Sequence, residues 1–323
     1  MKDLLKKDWF KKLIVAACFT IVFVGSLLLM SFVFTPRDND PASGMLDWRA
    51  KAVLAEPTDS LDALFLGDSE VHCAFSPMYI WERHGFTSYN CGTSMQTLKY
   101  SERFLHDTFE KHSPKVVFLE TDRIYKSPIL WGWVTSELIP TFSVLTYHNR
   151  WKTMDASEVG AERNYTHVCD FKGYTFSSDV KAADASRYMQ ATDKNEYVNL
   201  INRGYVKRMK EFCEAHGAKF VLVSTPSTTN WNMRKHNGIV KLASDLGVEF
   251  LDFNVMTEEV PIDWTTDTRD GGDHLNDSGA EKVSAYIGNY LASTGLFADK
   301  RTNAEYSAWN EYLEAFNKMK QEA

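Results

Sequence analysis

Cysteine is scarce and poorly spaced for chemistry. Of five in 323 residues, Cys18 falls inside a long apolar run, and Cys73, Cys91, Cys169 and Cys213 stand far apart. No pair has the C-x-x-C spacing of a zinc site. A chain of this length can build a core without disulfides, so free buried thiols are expected. The chain also lacks a P-loop and an H-E-x-x-H motif, which sets aside nucleotide- and metal-dependent enzymes; no cofactor is expected. There is no internal repeat and no low-complexity tract. Basic charge is short as well. Beyond residue 35, 31 Lys and Arg stand against 41 Asp and Glu, a poor composition for binding nucleic acid.

Long apolar runs are absent except at the front. Leu13 to Phe34 is 22 residues without a charge, enough to cross a hydrocarbon core of about 30 Å at about 1.5 Å per residue. Lys2, Lys6, Lys7, Lys11 and Lys12 precede it and a Thr35-Pro36-Arg37-Asp38 flank follows. The positive-inside rule then predicts a cytoplasmic N-terminus (1–12), an uncleaved anchor (13–34) and everything later outside the cell membrane. A cleaved signal peptide would show a shorter apolar region ending in a small-x-small site.

Past a polar tether and lead-in (35–59), apolar strand-like runs alternate with amphipathic stretches, the rhythm of a parallel sheet covered by helices. Strands are expected at Ala63–Leu66, Thr87–Cys91, Val116–Glu120, Phe220–Ser224 and Glu249–Phe253. Helices are expected at Met95–Lys111, Asn195–His216 and Asn276–Leu291, the last capped by Asn276 or Asp277. This predicts one α/β flavodoxin-like domain over residues 60–293 with a five-stranded parallel sheet. Two regions break the rhythm. Residues 125–171, rich in Trp, Tyr, His and Pro, read as an insertion on the rim of the sheet. Residues 294–323 read as a C-terminal tail whose helix carries Tyr306, Trp309, Tyr312, Leu313 and Phe316 on its apolar side. Aromatics such as Trp131, Trp133, Tyr147 and Trp151 suit packing of the insertion, and His148 is a candidate substrate contact.

Four blocks fall at the carboxyl ends of expected strands or before the last helix, the reactive edge of such a sheet. Leu64-Phe65-Leu66-Gly67-Asp68-Ser69 runs a strand into a turn that exposes a serine. Asn90-Cys91-Gly92 ends the second strand, where a backbone N–H can approach a substrate oxygen. Glu120-Thr121-Asp122 ends the third, and Thr121 or Asp122 could reach the site. Asp270-Gly271-Gly272-Asp273-His274 precedes the final helix, with two aspartates within loop reach of the imidazole. A histidine held by a carboxylate can take a serine proton, the nucleophile–base arrangement of acyl transfer.

Taken in this order, the blocks resemble the SGNH/GDSL hydrolase superfamily. The resemblance implies a three-layer α/β/α fold with Ser69 as nucleophile, His274 as base, and the amides of Ser69 and Gly92 as oxyanion donors. The superfamily's third block is usually Gly-x-Asn-Asp; here it is Glu120-Thr121-Asp122, so the usual asparagine donor is missing. Its acid normally lies three residues before the histidine, at Gly271 here. Asp270 is therefore the first choice for the acid and Asp273 the alternative, since adjacent loop residues point apart. The anchor together with Tyr147-His148-Asn149-Arg150-Trp151-Lys152 and Lys172-Gly173-Tyr174 resembles membrane-tethered members similar to DltD, the teichoic-acid D-alanylation protein, and to polysaccharide O-acetyltransferases. That implies an extracytoplasmic esterase or O-acyltransferase acting on a cell-surface glycan or polymer, partnered by a multi-span membrane acyltransferase. The competing expectation is a non-catalytic glycan-binding or scaffold protein of a membrane acylation complex.

Overall fold

The computed structural model describes residues 8–126 and 138–323. Trp131 and Trp133 lie outside the described residues. The chain forms two compact units, Met1–Leu46 with Ile129–Asn164, and Asp47–Pro128 with Tyr165–Ala323.

In the first unit, Asp8–Phe34 forms one 27-residue helix. Among the described residues, only this helix is both long and apolar enough to cross a membrane. Leu13, Val15, Phe19, Ile21 and Val22 along it are exposed. The insertion packs on its C-terminal end. Ser31 Oγ accepts the backbone N–H of Val144 at 3.1 Å, and Arg150 Nη1 donates to the carbonyl of Phe34 at 2.8 Å, satisfying an orphan helix carbonyl. Arg150 also pairs with Glu158. Within this unit, Val144 and Arg150 of the predicted insertion (125–171) pack on the apolar helix.

The second unit is a parallel five-stranded sheet, β1 (Ala63–Gly67), β2 (Ser88–Gly92), β3 (Val116–Glu120), β4 (Lys219–Ser224) and β5 (Glu249–Asp252), in the order β2-β1-β3-β4-β5. Strands buried on both faces read as continuous apolar runs, and alternate residues go to opposite faces. Leu64, Leu66, Val117, Leu119 and Leu222 join one core cluster. Phe65, Val116, Phe118, Val221 and Val223 join the other, where Phe65 stacks on Phe75 and Phe118 at 4.7 and 4.9 Å between ring centres.

Helices Leu98–Phe109, Leu200–Ala215 and Asp277–Ser293 begin at Thr97, Asn199 and Asn276, whose side chains accept backbone N–H groups of the first turn. Two further helices have no clear sequence signal. Pro77–His84 buries Met78, Tyr79, Ile80 and Trp81 in succession, which erases any helical period. In Met233–Leu246 the buried positions include Gly238 and Ala243, too small to show as an apolar stripe. The C-terminal residues belong to the α/β unit: helix Ser307–Glu322 buries Trp309 against Trp81 and Phe316 against Tyr79. Lys172 is buried beneath it, paired with Glu56 at 2.8 Å, and Tyr174 donates to Asp277 at 2.9 Å. These residues of the Lys172-Gly173-Tyr174 segment therefore tie the fold together. Cys73, Cys91, Cys169 and Cys213 are free and buried.

Candidate active site

β1 is flanked by β2 and β3, so the turn that follows it lies between two other strand ends. Asp68 caps the short helix Ser69–Ala74 by accepting the N–H of Glu70 at 3.1 Å, which leaves the Ser69 side chain free for other work. On one side lies Gly92. A Cβ there would sit 2.8 Å from the carbonyl oxygen of Asp68 and 3.1 Å from Val71, so only glycine lets the end of β2 approach the serine turn.

His274 comes from a loop stapled on itself just before helix Asp277–Ser293. Thr268 and Leu275 form an isolated bridge. The Thr268 hydroxyl donates to the carbonyl of His274 at 3.0 Å and accepts the N–H of Gly272 at 2.8 Å. Gly272 has φ +99°, a conformation open to glycine and strained for other residues. Its carbonyl accepts from Ser227 at 3.0 Å, which fastens the loop to the segment after β4.

This frame brings three predicted residues into one hydrogen-bonded line. His274 Nε2 is 2.8 Å from Ser69 Oγ, and His274 Nδ1 is 2.6 Å from Asp270 Oδ2. Asp270 Oδ1 also accepts the backbone N–H groups of His274 and Asp273, at 2.8 and 3.1 Å. Partial burial pushes the Asp270 carboxyl up, but hydrogen bonds from His274 outweigh it and hold the carboxyl below its usual range. Asp273 stands off at 3.6 Å from Nδ1 and accepts instead from Asn230. Asp270 is thus the aspartate bonded to the ring.

The remaining predicted residues sit elsewhere. Thr121 is buried and its hydroxyl bonds to that of Ser224. Asp122 is buried between Lys235 and Lys126 at 3.1 and 3.2 Å. The end of β3 therefore supplies no side-chain amide. His148 lies in the first unit, with Nδ1 3.2 Å from the carbonyl of Leu145.

Other residues surround the serine: Arg123 and Glu120 from the block that ends β3, and Glu70, Thr225 and Asn230, which the sequence did not single out. Arg123 donates to the carbonyls of Met95 and Gln96, each at 3.1 Å, and lies 3.7 Å from Asp68. It ties the loop after Gly92 to the serine turn. Glu70 and Glu120 are buried carboxyls beside that turn. Glu70 accepts from Asn230 and from Thr225, both at 2.9 Å. Burial, and then neighbouring carboxylates, push both glutamates well above their usual range. Asp68 is pushed up to about 6 by burial and by Asp122. The sequence signal was Ser227-Thr228-Thr229-Asn230, a polar block after the fourth strand on the same sheet edge.

Glu70, Asp273 and His274 offer oxygen and nitrogen atoms within 4.8 Å of one another, the spacing of a metal site. Both ring nitrogens of His274 are already engaged, however, and Glu70 is held by Asn230 and Thr225. Glu70 and Asp273 are instead joined to each other through the Asn230 side-chain amide.

The raised carboxyls carry a stability prediction. Unfolded, Glu70 and Glu120 ionise near 4.5 and Asp68 near 3.8; folded, they keep their protons to higher pH. Their contribution is complete below the unfolded values and drains as pH rises through the folded ones. For Asp68 the loss begins near pH 3.8 and is complete a little above pH 6. The melting temperature should fall as pH rises from about 4 through 6, and go on falling as Glu70 and Glu120 ionise. Glu70→Gln keeps the shape, accepts from Asn230 through its oxygen and can donate its NH₂ to the Thr225 hydroxyl, so it should raise the melting temperature on the alkaline side and flatten the slope. A Glu70→Gln curve that tracks the wild type would remove Glu70 from the titrating set.

No protein-family model matches the chain, and no curated protein matches it. Solved structures do align. A GDSL-like lipase from Bacteroides thetaiotaomicron is 12% identical, with 76% of this chain and 96% of that chain covered and a TM-score of 0.40. A lipase/acylhydrolase from Enterococcus faecalis is 10% identical over 72% of this chain and 96% of its own, at 0.39. A psychrotrophic esterase from Pseudoalteromonas sp. is 12% identical over 72% of this chain and 97% of its own, at 0.37.

Proposed function

We propose that the protein is a serine esterase or O-acyltransferase of the SGNH type, anchored by helix Asp8–Phe34 with its α/β unit outside the cytoplasm. The observation that carries this reading is the continuous line Ser69–His274–Asp270. His274 Nε2 takes the Ser69 proton as Oγ attacks the ester carbonyl. The amides of Ser69 and Gly92 are the donors available to the developing oxyanion. Collapse returns the proton from His274 to the departing alkoxide and leaves an acyl group on Ser69. Water or an acceptor hydroxyl, deprotonated by the same imidazole, then releases it.

Water as the second nucleophile makes an esterase, and a sugar or polyol hydroxyl makes a transferase. The steps up to the acyl-enzyme are shared. The proposed substrate is an acylated cell-surface polysaccharide or teichoic-acid-like polymer. A multi-span membrane acyltransferase is the proposed partner, in the manner of the DltD-like proteins that the anchor and site resemble.

The test is fluorophosphonate labelling of the detergent-solubilised full chain. The wild type should label at Ser69, and His274→Ala should not. If active-esterase controls label and the wild-type chain does not, the activated serine is lost and the glycan-binding or scaffold reading takes its place.

A further inference from the structure

Val144–Tyr147 forms one α-helical turn that runs straight into a 3₁₀ turn, His148–Lys152. Residues three apart share a face in either geometry. Val144, Tyr147 and Arg150 form a buried stripe. Two of them are bonded to the end of helix Asp8–Phe34, Val144 through its N–H to Ser31 Oγ and Arg150 to the Phe34 carbonyl. Ser143 adds a hydroxyl pair with Thr35. The next stripe round is Leu145, His148 and Trp151, all exposed, Leu145 by 44% and Trp151 by 64%.

The bonds to Ser31 and Phe34 set the depth of this exposed stripe. Ser31 lies three residues before the end of the apolar run, about 4.5 Å at about 1.5 Å per residue. Leu28, Leu29, Met30 and Phe32 are exposed on the same turns of the helix. Leu145, next to Val144, therefore stands at the level where the span passes from hydrocarbon to the polar Thr35-Pro36-Arg37-Asp38 flank. Tryptophan favours that boundary, because its ring is apolar and its N–H seeks a polar partner. The Lys152 ammonium lies 5.7 Å from the centre of the Trp151 ring, on a stem that lets the charge reach up to phosphates. Residues 35–46 and 139–164 hold four basic and five acidic side chains, so the attraction at this place is apolar and needs no anionic lipid.

We infer that the Leu145–His148–Trp151 stripe docks in the interfacial layer of the phospholipid bilayer that helix Asp8–Phe34 crosses. The inference rests on the anchor reading and deepens it. The chain meets the membrane twice, once with a helix that spans it and once with residues 144–152 lying on its outer surface. A lone spanning helix leaves the chain that follows free to turn about the helix axis; a second contact beside the exit point stops that rotation. His148 then faces lipid headgroups rather than substrate.

The test is a depth measurement by spin labelling of the full chain in phosphatidylcholine nanodiscs. Cys18→Ser removes the exposed thiol, and the other four cysteines are buried. A nitroxide is then placed singly at Leu145→Cys, at Trp151→Cys and, as the reference within the span, at Leu28→Cys. All three side chains are exposed, so their replacement leaves the packing intact. Collisions with dissolved oxygen, which concentrates in lipid, are compared with collisions with a water-soluble nickel chelate. The oxygen-to-nickel ratio should exceed one at the Leu145 and Trp151 positions and be higher again at the Leu28 position.

A ratio below one at either interfacial position overturns the inference, because the stripe then faces water. Shielding from both reagents overturns it as well, since protein then covers the stripe. The reference label separates this failure from that of the anchor. A lipid-exposed Leu28 position with water-exposed labels in the stripe removes only the second contact, whereas a water-exposed Leu28 position removes the anchor and the inference together.

Discussion

Ser69→Ala will lower ester turnover by about a millionfold, the scale at which the loss of a serine nucleophile leaves only binding and oxyanion contacts. The fold should not change. Capping of the Ser69–Ala74 helix falls to Asp68, and the Ser69 hydroxyl bonds to His274, a side chain itself anchored by Asp270 and by the Thr268 bridge. Removing one half-exposed hydroxyl shifts stability by about 0.5 kcal/mol or less. Turnover is read with a chromogenic acetate ester and folding with a melting curve. A Ser69→Ala chain that melts like the wild type and keeps more than about a hundredth of its turnover would place the nucleophile elsewhere.

Asp270→Asn will cost about 10³–10⁴ in kcat with little change in KM. The carboxylate holds a proton on Nδ1, so that Nε2 presents its lone pair to the Ser69 hydroxyl, and it stabilises the imidazolium that forms. An asparagine amide can offer its NH₂ to Nδ1 instead, which favours the proton on Nε2, where it blocks the base. Asp273→Asn should cost less than about tenfold, because at 3.6 Å from Nδ1 this carboxylate makes no hydrogen bond to the ring. Steady-state kinetics of both variants decide the matter. The reverse ranking would transfer the role to Asp273.

The sheet was legible because parallel strands buried on both faces leave apolar runs; Val116–Glu120 has the expected bounds, and the other four strands differ by a residue or two at their ends. Helix Pro77–His84 was hidden for the same reason, since burial all round removes the period that marks a helix. The serine and histidine could be singled out because each sits in a short block at a strand end or helix start. The choice between Asp270 and Asp273 needed the loop itself. Gly271 and Gly272, both at positive φ, curl the chain so that the Asp270 carboxylate reaches back to two backbone N–H groups and the ring. The buried carboxyls were out of reach of sequence patterning. Glu70 and Glu120 look like ordinary surface residues until Asn230 and Thr225, more than 150 residues downstream of Glu70, close over the first of them.

The two ends of the Ser69–His274 bond are separated by 205 residues. A chain synthesised from its N-terminus carries the serine early, just after the first strand, and acquires the histidine only when the loop before the last core helix has been made. Every shorter intermediate holds the serine without its histidine partner, whatever its secondary structure. The Ser69–His274 bond is therefore a late contact, and loosening of helix Asp277–Ser293 should break it while the sheet still stands.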